Sequence, residues 1–336
     1  MKVSVIGAGS WGTALSQAIV DNKHEVLLYA RSQETCKEIN DNHTNKRYLK
    51  NIILPKEVKA SSNLEKVVNF GDVLIIAVPT KVMRSVAKEI NSYLTEKKYV
   101  IHVSKGLEVE TNKRMSEIIC EEINANLLKG VGVLSGPSHA EELVLRNPTL
   151  VAIASQNDEL NKLAQEIFHN SYFRIYVNKD IVGVELGGAL KNIIAIGCGI
   201  IDGMKYGDNA RAALITRGLI EITRLSKKLG AEELTFLGLG GIGDLIVTCT
   251  SKHSRNYNCG YLIGKGYTLE EAVKKLDMVA EGVRTTKVCY FLAKQTNTYM
   301  PITENIYKVL YENMSIEDCT KNMMQRIATE ELNNFE

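Results

Sequence analysis

No long block of like charges occurs in this chain, and 41 basic residues against 39 acidic leave a formal charge of only +2. That balance excludes the electrostatic footprint of a nucleic-acid-binding protein, although a few aimed cations suffice to hold an anionic metabolite. No C-x-x-C spacing occurs either. The seven cysteines, Cys36, Cys120, Cys198, Cys249, Cys259, Cys289 and Cys319, are odd in number and scattered, which predicts reduced thiols. No zinc-binding pattern is present, so no metal is expected. The opening MKVSVIGAGSWG lacks the charged, apolar and small-residue regions of a signal peptide, and a cytoplasmic location is expected. One apolar run, Val182 to Gly203, is long enough to raise a membrane question, but Glu185, Lys191 and Asn192 interrupt it, so membrane insertion is not expected.

What is present is an alternation of apolar runs with amphipathic stretches. KVSVIG, HEVLLYA, GDVLIIAVP, YVIHVSKG, VGVLSG, LVAIAS and YFRIYVN read as strands separated by helical runs, and GDVLIIAVP has the unbroken apolarity of a strand buried on both faces. Repeated units of this kind predict an α/β, Rossmann-type, doubly wound and mostly parallel sheet. After about Asn178 helical periodicity takes over, predicting an all-α second half. A length of 336 residues exceeds what one core usually fills, so two domains are expected, 1–180 and 181–336. No Pro/Gly/Ser linker divides them, which predicts a direct run from the last strand into the long helix.

GAGSWG, Gly7 to Gly12, fits G-x-G-x-x-G between a strand and a helix. Gly7, Gly9 and Gly12 in that setting allow a tight turn, close approach of backbone to pyrophosphate, and close helix packing, while the helix start offers free N–H groups. The next strand ends in Tyr29, Ala30, Arg31 and Ser32, where an acid usually takes the ribose hydroxyl. Arg31 therefore favours NADP, unless it is merely a solvated arginine at a helix start.

Lys191 sits among apolar neighbours in ELGGALKNIIAIG, with Gly187, Gly188 and Ala195 on its helical face. Small residues leave space for a ligand; the other reading is that they admit a second helix while the lysine snorkels out. Further on, Ser254 is a natural N-cap, and the amides after it with the guanidinium of Arg255 would make a phosphate site, or else an ordinary surface helix start. HVSKGL puts Lys105 just past a strand end, and LSGPSHAEE follows another strand with Gly136 and a capping box from Ser138 to Glu141. Each is a site element or a plain connector.

Together GAGSWGTAL, SKGLE, LSGPSHAEE, ELGGALKNIIAIG, GIGDLIVTCTS, SRNYNCG and AEGVRTT resemble the bacterial NAD(P)-dependent glycerol-3-phosphate dehydrogenases over nearly the whole chain. The resemblance implies that Lys191 carries the catalytic proton, that Lys105 contacts substrate, and that Gly136, Ser138, Asp244, Ser254, Arg255 and Asn256 complete the glycerol-phosphate site. For the dinucleotide it implies Ser10, Trp11, Arg31, Tyr48, Lys105, Ala140, Arg255, Val279 and Glu281. The expected reaction is reversible reduction of dihydroxyacetone phosphate with NAD or NADP, NADPH favoured for biosynthesis, feeding phospholipid synthesis; a homodimer is expected. Asp244 would orient Lys191 or a substrate hydroxyl, and a dry site with nearby cations would lower the lysine's pKa. Rival readings are another β-hydroxyacid or sugar-phosphate dehydrogenase, and a regulatory module that senses the dinucleotide without turning it over.

Overall fold

Eight short apolar runs pair into one sheet. In the computed structural model, which describes residues 1–276 and 280–327, these are β1 (Lys2–Ile6), β2 (Glu25–Tyr29), β3 (Lys59–Ser61), β4 (Val73–Ile76), β5 (Lys98–His102), β6 (Leu128–Ser135), β7 (Thr149–Ala154) and β8 (Phe173–Asn178). Their order is β3-β2-β1-β4-β5-β6-β7-β8, and every pair is parallel except β6 with β7. The order reverses at β1, so its carboxyl end is a switch point, the place where open α/β sheets bind ligands.

Around the strands lie α1 (Ser10–Asp21), α2 (Gln33–Lys37), α3 (Leu64–Val68), α4 (Met83–Tyr93), α5 (Met115–Glu122), α6 (Ala140–Val144) and α7 (Asp158–Phe168). Successive side chains of a strand point to opposite faces, and β4 serves both: Val73 and Ile75 join one apolar cluster, Leu74 and Ile76 another. The unbroken run GDVLIIAVP therefore fills two cores at once. On α4, Met83, Ala87 and Ile90 recur at helical spacing as the buried stripe.

β8 passes through Lys179 and Asp180 into α8 (Ile181–Gly203), and the Asp180 carboxylate accepts from Gly183 N at 2.8 Å, capping the first turn. The described chain then continues as helices: α9 (Asp208–Lys228), α10 (Asp244–Thr250), α11 (Arg255–Gly264), α12 (Leu269–Leu276), α13 (Glu281–Gln295), α14 (Pro301–Tyr311) and α15 (Ile316–Met324). Both halves are of the class that the sequence pattern predicts. Two compact units result, 1–108 with 113–185, and 109–112 with 186–336. The α8 helix is long and apolar enough to cross a bilayer, yet 94% of its most apolar window is buried inside the protein.

Candidate functional site

The first unit presents a cradle at the carboxyl end of β1. Gly7 has φ of 119°, a conformation that side chains rarely adopt, and a methyl group on it would strike the carbonyl of Ala77. Gly9 differs: a methyl group there would meet no protein atom within 4 Å, so the residue leaves open space in front of the helix. No side chain caps α1, whose first turn begins at Ser10. Free amides, a positive dipole end and room for an anion coincide, which is what a pyrophosphate needs. Buried Asn45 donates to Ala8 O at 3.0 Å and Thr13 Oγ1 at 2.9 Å, tying the following segment to the glycine turn.

Parallel pairing of β5 with β6 brings their carboxyl ends together. Lys105, just past β5, donates to Gly136 O at 2.9 Å and to Ser138 Oγ at 3.3 Å, just past β6. The expected capping box from Ser138 does not form. α6 starts at Ala140 with His139 at the N-cap, and the Ser138 hydroxyl donates to Gly136 O at 2.7 Å while accepting from Lys105 Nζ.

In the second unit the lysine of α8 does not snorkel. Lys191 is 5% exposed, and its ammonium donates to the Asp244 carboxylate and, at 2.7 Å, to Thr248 Oγ1. Thr248 passes its own proton to Asp244 O at 2.6 Å, so its lone pairs are turned toward the amine. Asp244 and Thr248 are one helical turn apart on α10, which puts both on one face. Asp244, expected to orient Lys191 or a substrate hydroxyl, thus lies in direct contact with Lys191.

The glycines of α8 also admit a second helix. A methyl group on Gly199 would strike the backbone of Tyr257, and one on Gly260 the carbonyl of Ile196, so α11 lies directly against α8. Ser254 caps α11 by accepting from Tyr257 N at 3.2 Å. Buried Asn256 donates to Asn192 Oδ1 at 2.8 Å and accepts from Gly282 N at 2.8 Å, joining α8, α11 and α13. Arg255, between these two buried residues, is exposed.

Residues 2–161 match the family model described as NAD-dependent glycerol-3-phosphate dehydrogenase N-terminus, and residues 180–321 the one for its C-terminus. Glycerol-3-phosphate dehydrogenase (NAD(P)+) of Macrococcus caseolyticus is 56% identical over 98% of this chain and 100% of its own. The chain belongs to the NAD-dependent glycerol-3-phosphate dehydrogenase family. The Staphylococcus aureus protein of the same name is 53% identical over 97% of this chain and 98% of its own. The crystal structure of glycerol-3-phosphate dehydrogenase from Coxiella burnetii superposes with a TM-score of 0.91 at 34% identity, covering 97% of this chain and 99% of that one.

The remaining residues that the glycerol-3-phosphate dehydrogenase resemblance implies lie on several elements. Trp11 is half-buried, its ring edge-on to Phe173 with centroids 6.5 Å apart, so it packs on the first core. Arg31 is exposed just past β2, and Tyr48 is exposed with the Arg47 guanidinium 5.5 Å from its ring centre. Ala140 and Glu281 open α6 and α13. Val279 lies outside the described residues. Sequence reasoning missed Thr248, Asn192 as partner of Asn256, and Asn45; only Thr248 had a usable signal, its four-residue spacing from Asp244 in GDLIVTCTS.

All seven cysteines are free thiols. Burial pushes the Cys289 and Cys259 thiols up, Cys259 to about 11, which leaves them poor nucleophiles. Among the described residues no group of three His, Cys, Asp or Glu side chains could hold a metal ion.

Proposed function

We propose that this protein reversibly reduces dihydroxyacetone phosphate to sn-glycerol 3-phosphate with NAD or NADP. One observation carries the reading: a buried lysine ammonium held between a carboxylate and a hydroxyl, in a member of this family. A nicotinamide bound at the glycine cradle would supply the hydride. Lys191, as an ammonium, gives its proton to the carbonyl oxygen in reduction and, as a neutral amine, takes it back in oxidation. Asp244 favours the loaded state and aims it; Thr248 fixes the second direction of Nζ. Lys105 polarises the developing oxyanion, with Gly136 and Ser138 orienting it. Arg255, with Ser254, Asn256 and the α11 amides, takes the phosphate.

For the dinucleotide the reading assigns Gly7, Gly9, Ser10, Trp11, Gly12, Arg31, Tyr48, Lys105, Ala140, Arg255, Val279 and Glu281. It includes NADPH in preference to NADH, supported by the exposed Arg31 at a position where an acid would repel a 2′-phosphate. It further includes a homodimer located in the cytoplasm and a supply of glycerol phosphate to phospholipid synthesis. The test follows absorbance of the reduced nicotinamide with dihydroxyacetone phosphate, using NADH and NADPH separately. Oxidation is expected with the phosphorylated ketone and little with unphosphorylated analogues or β-hydroxyacid precursors; no oxidation with either cofactor overturns the reading. Arg255→Ala should raise KM for the phosphorylated ketone far more than for an unphosphorylated one.

A further inference from the structure

Gly187 stands one helical turn before Lys191 on α8, and a methyl group built on it would overlap the carbonyl oxygen of Gly240. Four residues after each partner the two segments meet again, at Lys191 and Asp244, and Thr248 one turn later reaches the same amine. Still further along, the buried thiol of Cys249 neighbours that of Cys198. The turn before α10, and α10 itself, therefore run beside α8 in the same direction, with Gly187 against Gly240 at the head of the seam.

We infer that Gly187 is a positioning residue for the proton carrier: its bare Cα admits the Gly240 carbonyl, and this seats Asp244 and Thr248 at Lys191. The inference rests on the functional reading above. What a methyl group would displace is backbone, which cannot rotate aside as a side chain can. Relief requires movement of about 1 Å in the turn that ends at Asp244, and a misplacement of that size costs on the order of 100-fold in rate. Gly197 of the same helix provides the contrast, since the nearest atoms to a methyl group there belong to the side chains of Leu214 and Ile306 and not to backbone.

Gly187→Ala, Gly197→Ala and the parent protein are compared with dihydroxyacetone phosphate and reduced nicotinamide. In Gly187→Ala, kcat should fall roughly 10- to 100-fold with KM and dinucleotide Kd within a few-fold, because only the proton-transfer pair is disturbed. Its pH–kcat limb should move to lower pH, since a retreating carboxylate favours the ammonium less. Gly197→Ala should keep both kcat and the limb. A folded Gly187→Ala with parental kcat and pH limb overturns the inference. So does a Gly187→Ala that does not fold where Gly197→Ala does, which would make the glycine a folding residue. A parent without turnover overturns the functional reading itself and the inference with it.

Discussion

Thr248 and Asp244 grip the same ammonium, one through an uncharged hydroxyl and one through a carboxylate, and their loss should be felt in the proton step. Lys191→Ala is expected to abolish turnover while leaving dinucleotide Kd within a few-fold, as measured by cofactor fluorescence. Thr248→Val should lower kcat about tenfold or more, the worth of a hydrogen bond to a charged group, with KM little changed. At this scale Lys191 was legible as an ammonium among small residues, and Ser254 as a helix cap. Thr248 was legible only as the residue one helical turn past Asp244; that α10 rather than another helix packs on α8 leaves no mark in the sequence. Ser138 misled for a different reason: S-x-x-E describes a helix start only if the serine stands at the N-cap, and here the helix begins one residue later, with His139 in that place.

Two buried glutamates hold helix starts, with opposite consequences for pH. Glu185 on α8 accepts from Ser116 N at 2.8 Å in the first turn of α5, and from Arg114 Nη1 at 2.7 Å, with His102 Nε2 3.0 Å away. Burial works to raise its pKa, but His102, Arg114 and Ser116 outweigh that and hold it below the ordinary range. Glu221 on α9 accepts from Ile302 N at 2.6 Å and Thr303 N at 3.0 Å at the start of α14. Here burial prevails over those donors and the carboxyl is pushed up to about 7. The folded chain then keeps a proton that the unfolded chain has lost, so the Glu221 contribution makes stability fall as pH rises from about 4.5 to about 7. Glu185 contributes the reverse, stability present above the ordinary carboxylate range and lost as pH falls through its depressed value. Urea denaturation across this range should show the first slope vanish in Glu221→Gln. Glu185→Gln should cost roughly 2–3 kcal/mol at neutral pH, because the part-buried Arg114 guanidinium and the Ser116 amide lose a charged acceptor. A variant as stable as the parent would remove Glu185 from that role.

At the scale of the whole molecule the two-residue and four-residue periods carried most of the architecture, since strands buried on both faces and helices with one apolar stripe leave separate marks. β3 left none: three residues, Lys59–Ser61, are too few for a period, and pairing with β2 makes them a strand. The reversal of β7 against β6 was equally silent, because direction is set by how the connecting chain returns. A dinucleotide that binds only the folded chain stabilises it by about 2.7 kcal/mol at a hundredfold excess over Kd. NADPH should therefore raise Tm more than NADH at equal concentration, and Arg31→Ala should erase the difference. Equal shifts in the parent would assign Arg31 to solvent.

The backbone on either side of Arg255 is fixed by the buried Ser254 and Asn256, while its own side chain reaches into solvent. Such a residue is an interchangeable tool on a rigid mount. On the proposed phosphate role of Arg255, a library randomised at that single codon would explore acceptors with carboxylate or sulfonate tails, while leaving Lys191, Asp244 and Thr248 untouched.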